Sequence, residues 1–274
     1  MTRKTTPAFW AVNGALVLLA TLTLFPLLWM VSASFMVAGE ASSFPPPFLP
    51  AEPTLANYRE LFAAKGIGRQ ALNSLLVSVL ATLVSLAFNL SAGYAFAKLE
   101  FPGRERLFKA LLGALVIPGQ VTMMPLFLML KEMGLVNTYA GALVPWLASV
   151  FGIFLVRQYA QGIPADILEA ARLDGAGELR IFTSIVLPLL KPIVVTLAVL
   201  VFLGSWNDFM WPLIVLTDRD LQTLPVALAG LSREHVQDTE LMMAGSVLTV
   251  LPVLLLFLAL QKHYMKGLLM GSVK

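Results

Sequence analysis

The sequence predicts an all-α integral membrane protein with six transmembrane helices. Three observations lead there. Hydrophobic residues make up 58% of the 274-residue chain against 13% charged, and the mean hydropathy is +0.81. A soluble domain of this length needs more charged surface than 19 bases and 16 acids supply. The apolar residues also gather into blocks of roughly 20 or more, enough to cross the hydrocarbon core as a helix at about 1.5 Å per residue. The alternation over about ten residues that marks a barrel strand is absent.

The spans read as about 9–36, 70–97, 107–130, 139–160, 187–216 and 242–263. Ahead of the first, Arg3 and Lys4 imitate a cleavable leader, with Ser32-Ala33-Ser34 as a tolerable cleavage site. The apolar run from Ala8 to Val31 is longer than the usual ~7–15-residue leader core, so an uncleaved first span is expected. The loop SSFPPPFLPAEPTLANYRELF follows, extended through its prolines, with a short helix from Leu55 to Phe62 capped by Thr54. Pro26, Pro118, Pro125, Pro145, Pro212 and Pro252 lie inside later or earlier spans. Neighbouring helices can satisfy the carbonyls they free, so kinked spans in a bundle are expected.

Six spans put both termini on one side. Thirteen of the 19 bases, among them Arg3, Lys98, Arg104, Arg157, Arg172 and Lys262, fall on that side, and only Arg59, Lys65, Arg69, Lys131, Arg219 and Arg233 on the other. Lys and Arg collect in short cytoplasmic loops, so both termini face the cytoplasm. The net charge of +3 is spread along the chain and gives no argument for nucleic acid. With no cysteine, disulfide and thiolate chemistry are excluded.

Between spans four and five, on the cytoplasmic side, stands a polar island, EAARLDGAGELRIF, from Glu169 to Phe182. Pro164 suits a first helical turn, and Asp166 and Glu169 suit the positive end of the helix dipole. The helix should run to about Leu173 and end at Gly175 in the left-handed conformation. A second segment from Glu178 leads through Ile185 to Leu187-Pro188, where the chain re-enters the membrane. Small residues at the bend, Ala170, Ala171, Gly175, Ala176 and Gly177, let another surface approach the backbone. The plainer reading, a solvated connector, would not need Ile167, Leu168, Leu173 and Ile181 exposed among charges.

The order Glu169-Ala170-Ala171, three residues, Gly175, nine residues, Ile185, one residue, Leu187-Pro188 resembles the EAA loop of bacterial ABC-importer permeases. Asp174, Ala176 and Phe182 fit the form seen in carbohydrate importers. NYRELF, LNSLLVS, AGYAFAKLEFPGR, IPGQVTMMPLFLMLKEMGLVNTYAGALV, SWNDFMWPLIVL and the tail KGLLMGSVK extend the likeness to MalG-type permeases from about Asn57 to Lys274. The resemblance implies a type I ABC-importer permease of the bacterial inner membrane. Residues 1–69 would form the first helix and periplasmic loop, 70–263 the five-helix core with its coupling loop at 164–188, and 264–274 a cytoplasmic tail. It further implies a MalF-like second permease, two MalK-like ATP-binding subunits and an extracytoplasmic sugar-binding protein as partners. The coupling loop would dock on the ATPase, and the tail, with Gly267, Gly271, Ser272, Val273 and Lys274, would reach between the two ATPase subunits. ATP and magnesium would be held by those subunits, since this chain has no G-x-x-x-x-G-K-[ST] and is expected to carry no cofactor or enzymatic activity of its own.

For the solute's path, span two offers Ser74, Ser78, Thr82, Ser85 and Asn89 within an arc of about 80° on one helix face. Such a stripe either lines a path or glues helices together. Span five offers Asn207 and Asp208 between Trp206 and Trp211, either a sugar-binding cluster or an interfacial aromatic belt. Asp208 lies 20 residues past Pro188, roughly 30 Å along one straight helix. The outer loop from Thr217 to Met242 brings Asp218, Asp220, Glu234, Asp238 and Glu240 as polar contacts for a binding protein. A secondary transporter would bring inverted repeats and buried coupling residues, and a membrane enzyme a metal cluster or paired carboxylates; the sequence supplies neither set.

Overall fold

A computed structural model describes the backbone of residues 7–234 and 238–270, and side-chain surroundings for residues 9–231 and 238–259. Gly271, Ser272, Val273 and Lys274 of the expected tail lie outside the described residues, as does the side chain of Glu234. Every regular element among the described residues is helical. In order they are α1 (Pro7–Ala33), α2 (Ala56–Ala63), α3 (Ile67–Lys98), α4 (Arg104–Gly113), α5 (Gly119–Glu132), α6 (Tyr139–Leu143), α7 (Val150–Gln161), α8 (Ala165–Leu173), α9 (Glu178–Ile181), α10 (Leu187–Leu189), α11 (Lys191–Trp206), α12 (Met210–Val215), α13 (Leu224–Glu234) and α14 (Thr239–Met270).

Three helices are long and apolar enough to cross a membrane singly: Phe9–Ala33, Ile67–Lys98 and Thr239–Ala259. Three more candidates are bent pairs, Arg104–Val116 with Gly119–Glu132 at 104°, Tyr139–Trp146 with Val150–Gln161 at 46°, and Glu178–Leu189 with Lys191–Trp206 at 81°. Spans three, four and five, expected as kinked helices, are therefore broken into two arms each. The first break has a clear cause. Ile117 is extended because the residue before a proline is pushed out of the helical region, and Pro118 then starts α5 from outside the helix. Pro26, Pro125 and Pro252 sit inside helices without ending them.

The chain divides into two compact units. One comprises the residues up to Gly68 with Ala227–Leu254. Its proline-rich stretch is folded back on the end of α1: Trp29 Nε1 donates to the Pro47 carbonyl at 3.0 Å, and the Phe25 and Phe48 rings stack at 5.3 Å. Asn57 Nδ2 ties α2 to the same place through the carbonyls of Ser34 and Met36, at 3.0 and 2.9 Å. The helix α2 begins one residue later than expected, yet Thr54 Oγ1 still accepts from the Ala56 amide at 3.1 Å. Glu240, expected as an outward contact, is fully buried here and accepts the Ala41 amide at 2.7 Å.

The other unit comprises Arg69–Val226 with the run from Leu255. Two apolar clusters stand out among its described residues. One gathers Val77, Leu130, Ala142, Trp211, Val215 and Leu216. The second gathers Leu90, Tyr94, Val156, Leu168, Ile181, Val186, Leu190 and Leu197, from α3, α7, the island and α11. At Gly93, a methyl group would fall 2.5 Å from Val156 Cβ, so only glycine lets α3 and α7 meet there.

Candidate functional site

The island folds as an elbow. Helix α8 runs to Leu173 and closes with paired backbone bonds: the Gly175 amide donates to the Arg172 carbonyl at 3.0 Å and the Ala176 amide to the Ala171 carbonyl at 2.9 Å. Gly175 supplies the left-handed residue this closure requires, with φ of +82°. The chain then reverses through Gly177 into α9, passes through a π-helical turn from Phe182 to Val186, and forms α10. The sharp bend comes at Leu190, after Leu187-Pro188, where α11 starts with Pro192 in its first turn.

Burial sorts the island's side chains. Leu168 and Ile181, expected to be exposed, are buried at 2% and 0%, because they turn back into the cluster under α3 and α7. Ala171, Ala176, Phe182, Ile185 and Leu187 pack half-buried against that cluster. Glu169, Ala170, Asp174, Gly175 and Pro188 are exposed. So are Ile167, and Leu173 at 89% and Leu179 at 77%, two bare leucines among charged side chains.

A polar clasp that spacing alone had not disclosed holds the elbow bent. Arg172 Nε donates to Glu178 Oε1 at 2.7 Å, and Tyr94 Oη donates to Glu178 Oε2 at 2.8 Å. The guanidinium of Arg172, and after it the Tyr94 hydroxyl, hold the Glu178 carboxyl below its usual range. Lys98 reaches the Ile163 carbonyl from the last turn of α3, at the entry to the elbow. The only sequence signal for these partners was their place in AGYAFAKLEFPGR, four residues apart on one helix face.

The polar stripe of α3 is inward. Ser74, Ser78, Ser85 and Asn89 are buried at 1% or less and Thr82 is half-buried. Asn89 Oδ1 accepts the Ser149 amide at 2.9 Å, its Nδ2 donates to Ser85 Oγ at 2.8 Å, and Ser74 Oγ accepts the Leu224 amide at 2.8 Å. These side chains bind the unit's elements together. Asn73 was missed by the stripe argument: it donates to the carbonyls of Asp220 and Gln222, both at 2.9 Å, and accepts from Tyr139 Oη at 2.7 Å. Asn137, left-handed at φ of 61°, accepts the Thr217 and Asp218 amides at 3.0 and 2.8 Å. The start of the 217–242 loop is thus pinned to α3 and to the turn before α6.

Asp208 stands in the break between α11 and α12, not on one straight helix as the rise along span five assumed. Its carboxylate faces the Trp211 amide at 3.4 Å and accepts from the Trp146 side chain. It lines a cavity of about 430 Å³ with Thr122, Met123, Trp146, Gly204 and Trp211. Gly204 makes room for Trp146, whose ring would lie 2.8 Å from an added methyl. Trp206 and Trp211 are buried at 3% and 2%, which excludes the reading of a lipid-facing belt. Asn207 is exposed and bonds back to the Leu203 carbonyl at 2.8 Å.

The family described as "binding-protein-dependent transport system inner membrane component" matches residues 90–269, which contain the elbow, the clasp and Asp208. The chain is 37% identical to the arabinooligosaccharides transport system permease protein AraQ of Halalkalibacterium halodurans, over 100% of both chains. It is 32% identical to the lactose transport system permease protein LacG of Rhizobium radiobacter, over 95% of this chain and 94% of that one. Among solved structures it superposes on a chain of a bacterial ABC transporter involved in import of the acidic polysaccharide alginate, with a TM-score of 0.82, 25% identity, and coverage of 96% of this chain and 98% of that one. The expected permease resemblance therefore holds against a secondary transporter, and the chain belongs to the binding-protein-dependent transport system inner membrane component family, as a multi-pass permease subunit of an ABC importer.

Proposed function

We propose that this permease carries an oligosaccharide or disaccharide across the bacterial inner membrane, working with a second permease, two ATP-binding subunits and an extracytoplasmic sugar-binding protein. The named cargoes of its relatives, arabino-oligosaccharides and lactose, support a sugar. The bent pairs supply the other three spans in this reading, the last entering the membrane only from Leu187-Pro188, giving six, with both termini in the cytoplasm by the distribution of Lys and Arg. ATP and magnesium belong to the ATPase subunits, and the tail from Gly267 to Lys274 reaches between them.

The observation that carries the reading is the preformed elbow with Leu173 and Leu179 bare beside Glu169. Exposed leucines rimmed by charge suit an apolar groove on a partner, and the rigid bend suits transmission of its movement. The cavity at Asp208 is a candidate stretch of the solute's path. Its carboxylate and Thr122 offer hydrogen-bond partners to hydroxyls, and Trp146 offers a stacking face. The buried stripe of Ser78, Thr82, Ser85 and Asn89 acts there as scaffold.

The test is co-purification of the ATP-binding subunit of its importer. Glu169→Lys and Leu173→Asp should each strip the ATPase from a normally inserted permease and abolish uptake of a radiolabelled arabino-oligosaccharide. Wild-type levels of both ATPase and uptake in these variants would refute the docking assignment.

A further inference from the structure

We propose that Tyr94 is the positioning residue through which the elbow's movement enters α3, with Glu178 as a two-sided joint. The inference rests on the docking role assigned to the elbow and deepens it.

The two oxygens of Glu178 are divided between two bodies. Oε1 takes Arg172 from the last turn of α8, and Oε2 takes Tyr94 from α3. Any displacement of the elbow must therefore either carry the Tyr94 hydroxyl with it or break that bond. The two halves of the joint differ in setting. Tyr94 is 4% exposed, and its ring lies 5.2 Å from that of Phe182 in the π-helical turn. Arg172 and Glu178 keep 40% and 46% of their side-chain surface. The Arg172 side thus exchanges readily with water and with a docking partner, whereas the Tyr94 side is walled by apolar residues, where a hydrogen bond to a charged group holds better.

One turn further along α3, Lys98 Nζ donates to the Ile163 carbonyl, just before α8. Residues four apart lie on one helix face, so the last turns of α3 grip the elbow on both sides of its bend. On the adjoining face of α3, one residue before Tyr94, Gly93 packs tightly on Val156 of α7, so the grip is backed by a close helix contact that cannot open cheaply. Packing alone would hold the elbow against α3. Only the directional bond requires Tyr94 and Glu178 to move together.

The chain has no cysteine, so two can be introduced and labelled on the purified permease before the complex is assembled. Leu83→Cys on α3 and Leu200→Cys on α11 are exposed at 58% and 44% and accept spin labels. In the full complex with its ATPase in nanodiscs, ATP with vanadate should shift the distance distribution between the labels. Tyr94→Phe keeps the ring and the packing. It should retain the ATPase yet cut the ATP-driven population shift by about tenfold, the weight of one hydrogen bond to a charged group. Glu178→Gln, which keeps an acceptor for Tyr94 while weakening the Arg172 side, should lose less of the shift than Tyr94→Phe. An unchanged shift in Tyr94→Phe with the ATPase still bound would overturn the joint. Loss of the shift equal in both variants would overturn it too, assigning the effect to the Arg172 clasp. A wild-type permease that binds no ATPase would instead refute the docking role on which the joint rests.

Discussion

At the residue scale, Gly175 and Glu178 decide the elbow's shape by different physics. Gly175 sits in open space, so an added methyl meets no neighbour; the objection to a side chain is its φ of +82°. Gly175→Ala should destabilise the elbow by about 1–2 kcal/mol and Gly175→Asn by less, read as the change in local protection by hydrogen exchange. Glu178 is a carboxyl whose folded value is lowered, so its contribution is complete above its unfolded value and lost as pH falls through the folded one. The stability difference between wild type and Glu178→Gln should accordingly be flat near neutrality and close only below about pH 4, in thermal unfolding curves of the detergent-solubilised permease. Of these two residues, only Gly175 was legible beforehand. A left-handed helix end follows from a local string, Leu173-Asp174-Gly175, whereas the partners of Glu178 stand 84 and 6 positions away and no local rule joins all three.

At the element scale, helices were readable and their interruptions were not. Apolar run length locates α1, α3 and α14 because one continuous helix satisfies every backbone group in lipid. It is blind to the 104° break at Ile117-Pro118, since both arms are as greasy as a single span. Proline gave the place but not the outcome: Pro26, Pro125 and Pro252 leave their helices continuous, while Pro118 divides two. The same limit applied to Leu168 and Ile181, which read as exposed in a polar string and are buried by a cluster assembled from distant helices. Close helix contacts yield a sharp expectation here. Gly93→Ala places a carbon 2.5 Å from Val156, with the Arg157 backbone nitrogen 3.1 Å away, and should cost about 1–3 kcal/mol as overpacking. Gly113→Ala, helical and with nothing within 4 Å, is the matched control and should hold or slightly raise the melting temperature.

At the scale of the whole molecule, the proposed six-span topology, oriented by the charge distribution, is one that accessibility can check. Phe44→Cys, on a side chain 98% exposed in the loop after α1, and Leu173→Cys in the elbow should react with a membrane-impermeant maleimide from opposite sides of the membrane. Phe44→Cys should label in intact spheroplasts and Leu173→Cys only in inverted vesicles. Labelling of both from one side would refute the six-span arrangement.

The closure of α8 by its own main chain has a last consequence. Because the bonds from Gly175 and Ala176 are internal, the turn that ends α8 has its form before the proposed motor subunit arrives. A subunit that meets a ready-made shape loses little conformational entropy on association, so the interface can be small and still specific. The motor could then detach and rejoin between rounds without a folding step delaying each reunion.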